Sequence, residues 1–204
     1  MSNKVSFTVI NTNARSLSPK INSLIDCFSQ MEASLGVVTE TWLSDGADLE
    51  EEIGDLTSGT GLNMVYRNRA VNGRGFSHGG VAIVYREAAM SVRKIRIHNP
   101  KDFEVVAAEC NLKGIKRKLV VIGCYIPPNY SVPRGRETME FIGGIVSDVK
   151  RRLDDPMVLV AGDYNQWEME EALVDFPDIQ EHGTGNTRGD RRICLLYTSP
   201  SPRD

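Results

Sequence analysis

Five side chains that could bind a metal ion or a phosphate each follow an apolar segment of the sequence, at the point where a predicted strand ends. They are Asn13, Glu40, Tyr125, Asp163 and Asn165. Two carboxylates, two amides and a phenol, with no His or Cys nearby, form an oxygen-rich set of the kind that Mg²⁺ prefers, and Mg²⁺ usually takes only one or two protein carboxylates. The set therefore favours metal-assisted phosphate chemistry over zinc-dependent hydrolysis.

Each of these residues also has a purely structural interpretation. Asp163, which follows Gly162, would form a turn, and Asn13 would form an Asx-turn that leads into a helix. Glu40 would cap a helix or pair with a nearby Arg, and Tyr125 would pack as an aromatic residue before two prolines. When each residue is considered alone, the structural interpretation is favoured. When all five are considered together, their order and their positions at the ends of predicted elements favour a functional site.

An α/β framework is predicted to position these residues. Short apolar runs bounded by polar, Gly or Pro residues predict strands, and apolar residues at helical spacing predict two amphipathic helices. The predicted strands cover residues 5–10, 35–39, 62–67, 79–85, 104–111, 118–126 and 157–161, with a weaker alternation over 91–97, and the predicted helices cover 18–32 and 136–153. Residues 167–192 are predicted as loop. The order of the elements predicts an α/β layered domain with a mixed sheet, in which strand ends assemble a site.

The composition is that of an ordinary globular protein. Of the 204 residues, 41% are hydrophobic and 25% are charged, which excludes collagen-like and wholly disordered classes. No apolar run reaches the roughly 18–20 residues of a membrane span, and the N-terminus lacks the layout of a signal peptide. Four scattered cysteines without a Cys-x-x-Cys pair indicate reduced thiols, and three distant histidines argue against a histidine metal site. We therefore expect an intracellular protein that is neither secreted nor bound to a membrane.

The net charge of −3 hides a basic stretch. Residues 61–120 contain twelve Lys or Arg and only four Asp or Glu. A local basic excess on a mildly acidic protein is typical of a protein that binds a phosphate backbone. Solvated strand edges and turns also carry Lys and Arg, so the charge pattern leaves both interpretations open.

Five short motifs give the sequence a family resemblance. They are Asn13–Leu17 (NARSL) with Lys20, Thr39–Leu43 (TETWL), Gly79–Ile83 (GGVAI), Tyr125–Pro128 (YIPP) and Gly162–Asn165 (GDYN). In this order, over about residues 5–193, they resemble the endonuclease/exonuclease/phosphatase superfamily. The amino-acid sequences of the first two motifs are most similar to those of the apurinic-type endonuclease domain of non-long-terminal-repeat retrotransposon polyproteins.

The resemblance implies a fold and an activity. The implied fold is a four-layer α/β sandwich, deoxyribonuclease-like, with two packed mixed sheets flanked by helices. The implied activity is a phosphodiesterase that nicks DNA with Mg²⁺ or Mn²⁺. DNA is then the expected partner, a reverse-transcriptase domain is expected downstream in the full-length protein, and the expected location is the nucleus.

The resemblance also implies a role for each site residue. Glu40 matches the metal-binding glutamate, and Asn13 matches the asparagine beside it that helps to place metal and phosphate. Tyr125 matches the tyrosine that hydrogen-bonds the scissile phosphate. Asp163 matches the aspartate that orients or deprotonates the attacking water, and Asn165 matches a phosphate-binding amide. The candidates for contact with the DNA backbone are Arg15, Arg67, Arg69, Arg74, Thr187 and Arg188.

The sequence departs from the family pattern in two places. The usual Gly-Asp-Phe-Asn stands here as Gly-Asp-Tyr-Asn. After Ile193, Cys194 stands where the pattern has an aspartate, and no Ser-Asp-His motif follows. Residues 194–204 are similar to the translation of a sequencing-library adapter, so we expect a domain over 1–193 without its last strands and an artefactual tail over 194–204. A genuine Ser/Pro tail is the alternative interpretation.

The second departure bears on activity, because loss of a general acid/base typically costs 10²–10⁴-fold. We therefore expect weak or no activity from this chain, and activity once a strand pair with the Asp and His is restored. Two other functions stay open: a phosphatase or phospholipase of the same fold, and a nucleic-acid-binding module without catalysis.

Overall fold

The computed structural model describes residues 7–43, 51, 53–54, 56–69, 78–165, 167, 179–183 and 192–198. Within these ranges the strands form two sheets. No helix in the described ranges is both long enough and apolar enough to span a membrane.

The first sheet has four strands in the order β1-β2-β4-β3. These strands are β1 (Thr8–Asn13), β2 (Ala33–Thr39), β3 (Leu62–Arg67) and β4 (Val81–Arg86). β1 and β2 run parallel, and the other neighbours are antiparallel. The crossover between the parallel strands is a short 3-10 turn, Ser18–Lys20, followed by α1 (Ile21–Gln30).

The second sheet has six strands in the order β5-β6-β7-β8-β10-β9. These strands are β5 (Met90–Lys94), β6 (Glu104–Leu112), β7 (Leu119–Tyr125), β8 (Met157–Asn165), β9 (Ile179–Gly183) and β10 (Arg192–Thr198). β7 and β8 are parallel and are connected by α2 (Val132–Arg152), whereas the other neighbours are antiparallel. Each sheet therefore contains one parallel pair with a helical crossover, as a parallel connection requires.

The two sheets pack face to face, with a helix on each outer side. The central layer includes Val37 and Ile83 from the first sheet and Val121 and Ala161 from the second. The outer apolar layers are centred on Phe28 of α1 on one side and on α2, with Val146, on the other. The order helix, sheet, sheet, helix confirms the predicted four-layer α/β sandwich, because each sheet buries both of its faces.

Element boundaries differ from the predictions where tertiary contacts extend an element. β1 includes the polar Asn11 and Asn13, because its backbone pairs in parallel with β2 up to Asn13 and Thr39. α2 begins at Val132 rather than 136, and Pro133 is tolerated in its first turn, where no backbone N–H is needed.

The prediction of loop throughout residues 167–192 is wrong, because Ile179–Gly183 forms β9 by pairing with β10. β10 itself pairs with β8 and includes residues of the predicted artefactual tail. The assignment of 194–204 as an artefact, and of 1–193 as the domain, stays a prediction.

Candidate active site

The site forms where the ends of two parallel strand pairs meet. In the first sheet, Asn13 at the end of β1 lies opposite Thr39 at the end of β2. In the second sheet, Tyr125 at the end of β7 lies opposite Asp163 near the end of β8. Parallel strands end at the same edge of a sheet, and the packing of the two sheets places these edges together. Four predicted site residues thus meet: Asn13, Glu40, Tyr125 and Asp163.

One amide group connects the two carboxylates of the site. Asn13 Nδ2 donates to Glu40 Oε1 at 2.7 Å and to Asp163 Oδ2 at 2.8 Å. Because both oxygens accept from the same nitrogen, Glu40 Oε1 and Asp163 Oδ2 are separated by at most the sum of these two hydrogen-bond lengths. Among the described residues, no Lys, Arg or His forms an ion pair with Glu40 or Asp163. Two like charges at this separation repel each other, and a bound cation would relieve the repulsion.

Tyr125 contributes a hydroxyl to the same cluster. Its OH donates to Glu40 Oε1 at 3.0 Å. Burial, followed by the negative charge of Glu40 and the hydrogen bond to it, raises the pKa of Tyr125 well above its usual value. The phenol therefore keeps its proton at neutral pH and acts as a donor.

Asp163 is held in place by its backbone surroundings. The residue is 4% exposed, and its Oδ1 accepts from the backbone N–H of Asn165 at 3.1 Å. Gly162 precedes it, and a Cβ at that glycine would lie 1.8 Å from the carbonyl oxygen of Cys124. Only glycine allows β8 to approach β7 so closely, and this approach brings Asp163 beside Tyr125.

Asn165 follows Asp163 by two residues at the end of β8 and is 2% exposed. It adopts a φ of 52°, a left-handed conformation that Asn tolerates better than most residues. Its Nδ2 donates to the carbonyl of Ile126 at 2.9 Å, which ties the end of β8 to the chain after β7. The structure thus shows Asn165 in a positioning contact, and its predicted binding of phosphate stays a prediction.

The chain turns sharply immediately after β2. Glu40 and Trp42 both have positive φ values, 50° and 51°. The turn is held by backbone hydrogen bonds from Thr41 N to Gly80 O at 3.4 Å and from Trp42 N to Gly79 O at 2.9 Å. Non-glycine residues in this region of φ cost energy and persist only where their surroundings hold them, which is common at functional sites.

The donor set fits a hard divalent cation. Glu40 and Asp163 offer only oxygen ligands, and the two carboxylates lack a cationic partner among the described residues. Asn13 turns its Nδ2 to both carboxylates, while its Oδ1 accepts from the backbone N–H of Arg15. Mg²⁺ keeps several waters and commonly uses one or two carboxylates, so no larger cluster is required. Within the described ranges, no three His, Cys, Asp or Glu residues come together as a metal site.

The predicted DNA-backbone residues have different surroundings. Arg15 lies beside the site, where its backbone N–H donates to Asn13 Oδ1 at 3.2 Å. Arg67 forms an ion pair with Asp102, and Arg69 forms one with Glu104. The remaining three, Arg74, Thr187 and Arg188, lie outside the described residues. Contact with DNA stays a prediction for all six.

Two residues that contact or adjoin the site were not predicted. Asn11 donates from Nδ2 to the carbonyl of Gly162 at 3.0 Å, so β1 contacts β8 next to Asp163. Its signal in the sequence was the spacing of two from Asn13, which places both side chains on one face of a strand. Glu104 is 1% exposed in the first position of β6. Its signal was a carboxylate followed directly by the apolar run Val105–Ala108.

The sequence pattern of the endonuclease/exonuclease/phosphatase family matches residues 5–203, and the chain therefore belongs to that family. Members of the family are hydrolases that act on phosphoesters, and they generally use divalent metals such as Mg²⁺. Among curated protein sequences, none matches this chain. The predicted family is confirmed, and the particular closeness to retrotransposon endonucleases stays a prediction.

Solved structures share the fold at low sequence identity. A mannosyl-6-phosphatase from Bacteroides thetaiotaomicron superposes with a TM-score of 0.70 and 13% identity, over 96% of this chain and 86% of that one. An AP endonuclease from Archaeoglobus fulgidus gives 0.61 and 13%, over 95% and 87%. A truncated TDP2 from Caenorhabditis elegans gives 0.61 and 14%, over 94% and 84%. At these identities the likeness shows the fold.

Proposed function

We propose that this chain is a Mg²⁺- or Mn²⁺-dependent phosphodiesterase that nicks DNA, the endonuclease domain of a retrotransposon-type protein. The observation that carries the proposal is the amide of Asn13 between Glu40 and Asp163, with Tyr125 on the same glutamate oxygen. Two uncompensated carboxylates at the meeting point of two sheets suit a divalent ion and a phosphate better than they suit any role in packing.

Each residue of the cluster has a distinct task in this reaction. Glu40 would hold the metal, with Asn13 beside it to place metal and phosphate, and the bound metal would neutralise charge on the phosphoryl oxygens. Asp163 orients the attacking water and accepts its proton at a carboxylate oxygen. Tyr125, which keeps its proton, donates a hydrogen bond to a phosphoryl oxygen when substrate displaces its contact with Glu40. Asn11 and Asn165 keep Asp163 in place.

The choice of DNA as substrate rests on the motifs around the site. Asn13–Leu17 and Thr39–Leu43, which are similar to the motifs of retrotransposon endonucleases, contribute Asn13 and Glu40 to the cluster. The basic excess over residues 61–120 supports a polyanionic substrate. DNA as the partner, a downstream reverse transcriptase and a nuclear location belong to this proposal.

Nicking of supercoiled plasmid in Mg²⁺ tests the proposal, in this chain and in a version extended by a strand pair that carries the Asp and His of the family pattern. The extended version should nick DNA, lose activity in EDTA, and lose about 10²–10⁴-fold on Asp163→Asn. Glu109→Gln on β6, away from the cluster, should leave the rate unchanged. An extended version that never nicks DNA would contradict the proposal.

A second candidate is a phosphatase on the same fold that acts on a small phosphoester. It is favoured by the ion pairs of Arg67 and Arg69, because paired arginines contribute less positive charge to a polyanion site. Turnover of a small phosphomonoester by the extended version, without nicking of DNA, would identify this function. DNA binding that survives Glu40→Gln with Asp163→Asn, without any turnover, would instead identify a non-catalytic binding module.

A further inference from the structure

Glu104 is a buried carboxylate next to the candidate site but outside the cluster. It is the first residue of β6, lies opposite Tyr125 of β7, and is 1% exposed. Its Oε2 accepts from the backbone N–H of Gly80 at 2.5 Å, and its Oε1 accepts from Arg69 Nε at 2.7 Å. Burial raises the pKa of Glu104, and the charge of Arg69 acts in the opposite direction.

The peptide that Glu104 binds also holds the turn after β2. The carbonyls of Gly79 and Gly80 accept from Trp42 N and Thr41 N, the two residues that follow Glu40. The fit leaves little room for movement. A Cβ at Gly79 would lie 2.3 Å from Glu104 Oε2, and a Cβ at Gly80 would lie 2.5 Å from Thr41 Oγ1. Glu104 is therefore connected to Glu40 through one glycine pair.

Two adjacent strands of the second sheet thus contact the same part of the first sheet. From β7, the hydroxyl of Tyr125 donates to the side chain of Glu40. From β6, the carboxylate of Glu104 accepts from the backbone that supports the Glu40 turn. Without the second contact, the positive φ of Glu40 would lose part of the surroundings that maintain it.

We propose that Glu104 is a positioning residue, which fixes the turn after β2 through Gly80 so that Glu40 points at the metal and phosphate site. The role of Glu40 as a metal ligand rests on the proposed function. The position of the turn does not, and it can be measured in the absence of metal. Arg69, in this proposal, holds the Glu104 carboxylate in place through an ion pair and a hydrogen bond to Oε1, which leaves Oε2 to accept from Gly80 N–H.

The experiment compares two nearly isosteric variants with a control on the same strand. Glu104→Gln keeps one acceptor oxygen, enough for Gly80 N–H but not for Arg69 as well, whereas Glu104→Met keeps the volume and removes both acceptors. Glu109→Gln, five residues along β6, neutralises a carboxylate that does not contact the turn. All are made with Trp167→Phe, which leaves Trp42 as the only tryptophan, since the chain has two.

Trp42 reports on the turn because its backbone N–H donates to Gly79 O and its ring stacks on His78 with centroids 4.4 Å apart. Acrylamide quenching of Trp42 should rise about twofold or more in Glu104→Met, since the turn opens locally, and should stay near the parent value in the two Gln variants. Equal quenching in Glu104→Met and Glu109→Gln would overturn the proposal.

Binding of Mn²⁺, measured by the resonance signal of the free ion, is the second readout. Residues that support a metal ligand typically contribute 10–100-fold in affinity, so Glu104→Met should weaken binding by about that much and Glu104→Gln by much less. If the parent binds no Mn²⁺, the proposed function fails while the quenching result still decides the role of Glu104.

If Glu104→Met does not fold, the rate of hydrogen exchange at the backbone amide of Gly80 in Glu104→Gln tests the proposal instead. Exchange within about threefold of the parent supports the proposal, because the hydrogen bond is kept. Exchange as fast as that of the exposed Gly114, in the parent or in the variant, overturns it.

Discussion

Two pairs of carboxylates in this protein are held by different kinds of partner. Glu40 and Asp163 accept from an amide and a phenol, which carry no charge. Glu104, which begins β6, and Glu109, five residues further along it, accept from Arg and Lys side chains. The first pair meets at the point where the two sheets join, and the second pair lies along β6.

The difference separates carboxylates available to a cation from carboxylates already neutralised by the protein. A neutral donor fixes the position of a carboxylate and leaves its charge uncompensated, so the charge remains for a ligand. A guanidinium both fixes the position of a carboxylate and neutralises its charge, which suits a structural role.

The largest expected effect is a loss of stability when the cation beside Glu104, the least exposed carboxylate among the described residues, is removed. Arg69→Ala leaves Glu104 without its ion-pair partner, which we expect to cost about 2–3 kcal/mol, less than for a fully buried pair because Arg69 is partly open to water. Urea unfolding measures this cost, with Arg93→Ala as the control. A cost no greater than that of the control would contradict the proposed difference.

This loss should depend on pH. The pKa of Glu104 is raised in the folded protein, and Arg69→Ala removes an effect that lowers it. The folded state then binds the proton more tightly than the unfolded state, so stability is present below the unfolded pKa and falls as pH rises through the folded one. The destabilisation should be smaller at about pH 4.5 than at pH 8.

The next effect is the response of the site carboxylates to Mg²⁺. At ten times its Kd, a ligand that binds only the folded state stabilises it by about 1.4 kcal/mol, so Mg²⁺ should raise the Tm. Glu40→Gln with Asp163→Asn should abolish the rise, and in EDTA this double variant should be at least as stable as the parent, because the repulsion is gone. An equal Mg²⁺ effect in both proteins would show that the ion binds elsewhere.

A smaller effect is expected from the phenol that donates to Glu40. Tyr125→Phe removes the hydrogen bond to Glu40 and should lower the free energy of unfolding by about 1 kcal/mol at neutral pH. The raised pKa of Tyr125 means that its contribution is present below pH of about 10 and is lost as pH rises further. Stability measured from pH 8 to 11 should fall less steeply in the variant.

The smallest effect is expected at Glu109, whose partners are largely exposed. Burial opposes its ionisation, but hydrogen bonds from Arg93 and Lys118 hold the pKa of Glu109 below its usual value. Its contribution is therefore present above the unfolded pKa and is lost as pH falls through the folded pKa, opposite in sign to Glu104. Glu109→Gln should cost about 0–1 kcal/mol at pH 7 in urea unfolding. A cost equal to that of Arg69→Ala would remove the contrast between Glu104 and Glu109.

Much of the framework could be predicted from the sequence, because apolar periodicity reflects which faces are buried. β3 was predicted with its observed bounds, and the cores of β2, β7 and α2 lie within the predicted ranges. β9 was missed because Ile179–Gly183 contains little apolar periodicity and becomes a strand only by pairing with β10.

The site was predictable for a related reason. Polar residues that follow apolar runs indicate strand ends, and parallel strands end at the same edge of a sheet. Glu104 was not predicted, because a carboxylate at the start of an apolar strand is too weak a signal to indicate a role until its partners are known. Those partners, Arg69 and Gly80, precede it by 35 and 24 residues.

The sequence alone determined which residue types stand at the strand ends, because local patterning and glycine placement depend on neighbouring residues. Only the tertiary structure decided which of them share a partner. Asn13 reaches Glu40 across 27 residues and Asp163 across 150, and both contacts exist because two sheets pack at one relative position. The same packing decided which acids are neutralised by arginine and which keep their charge, since ion pairing depends on distances that no local pattern specifies.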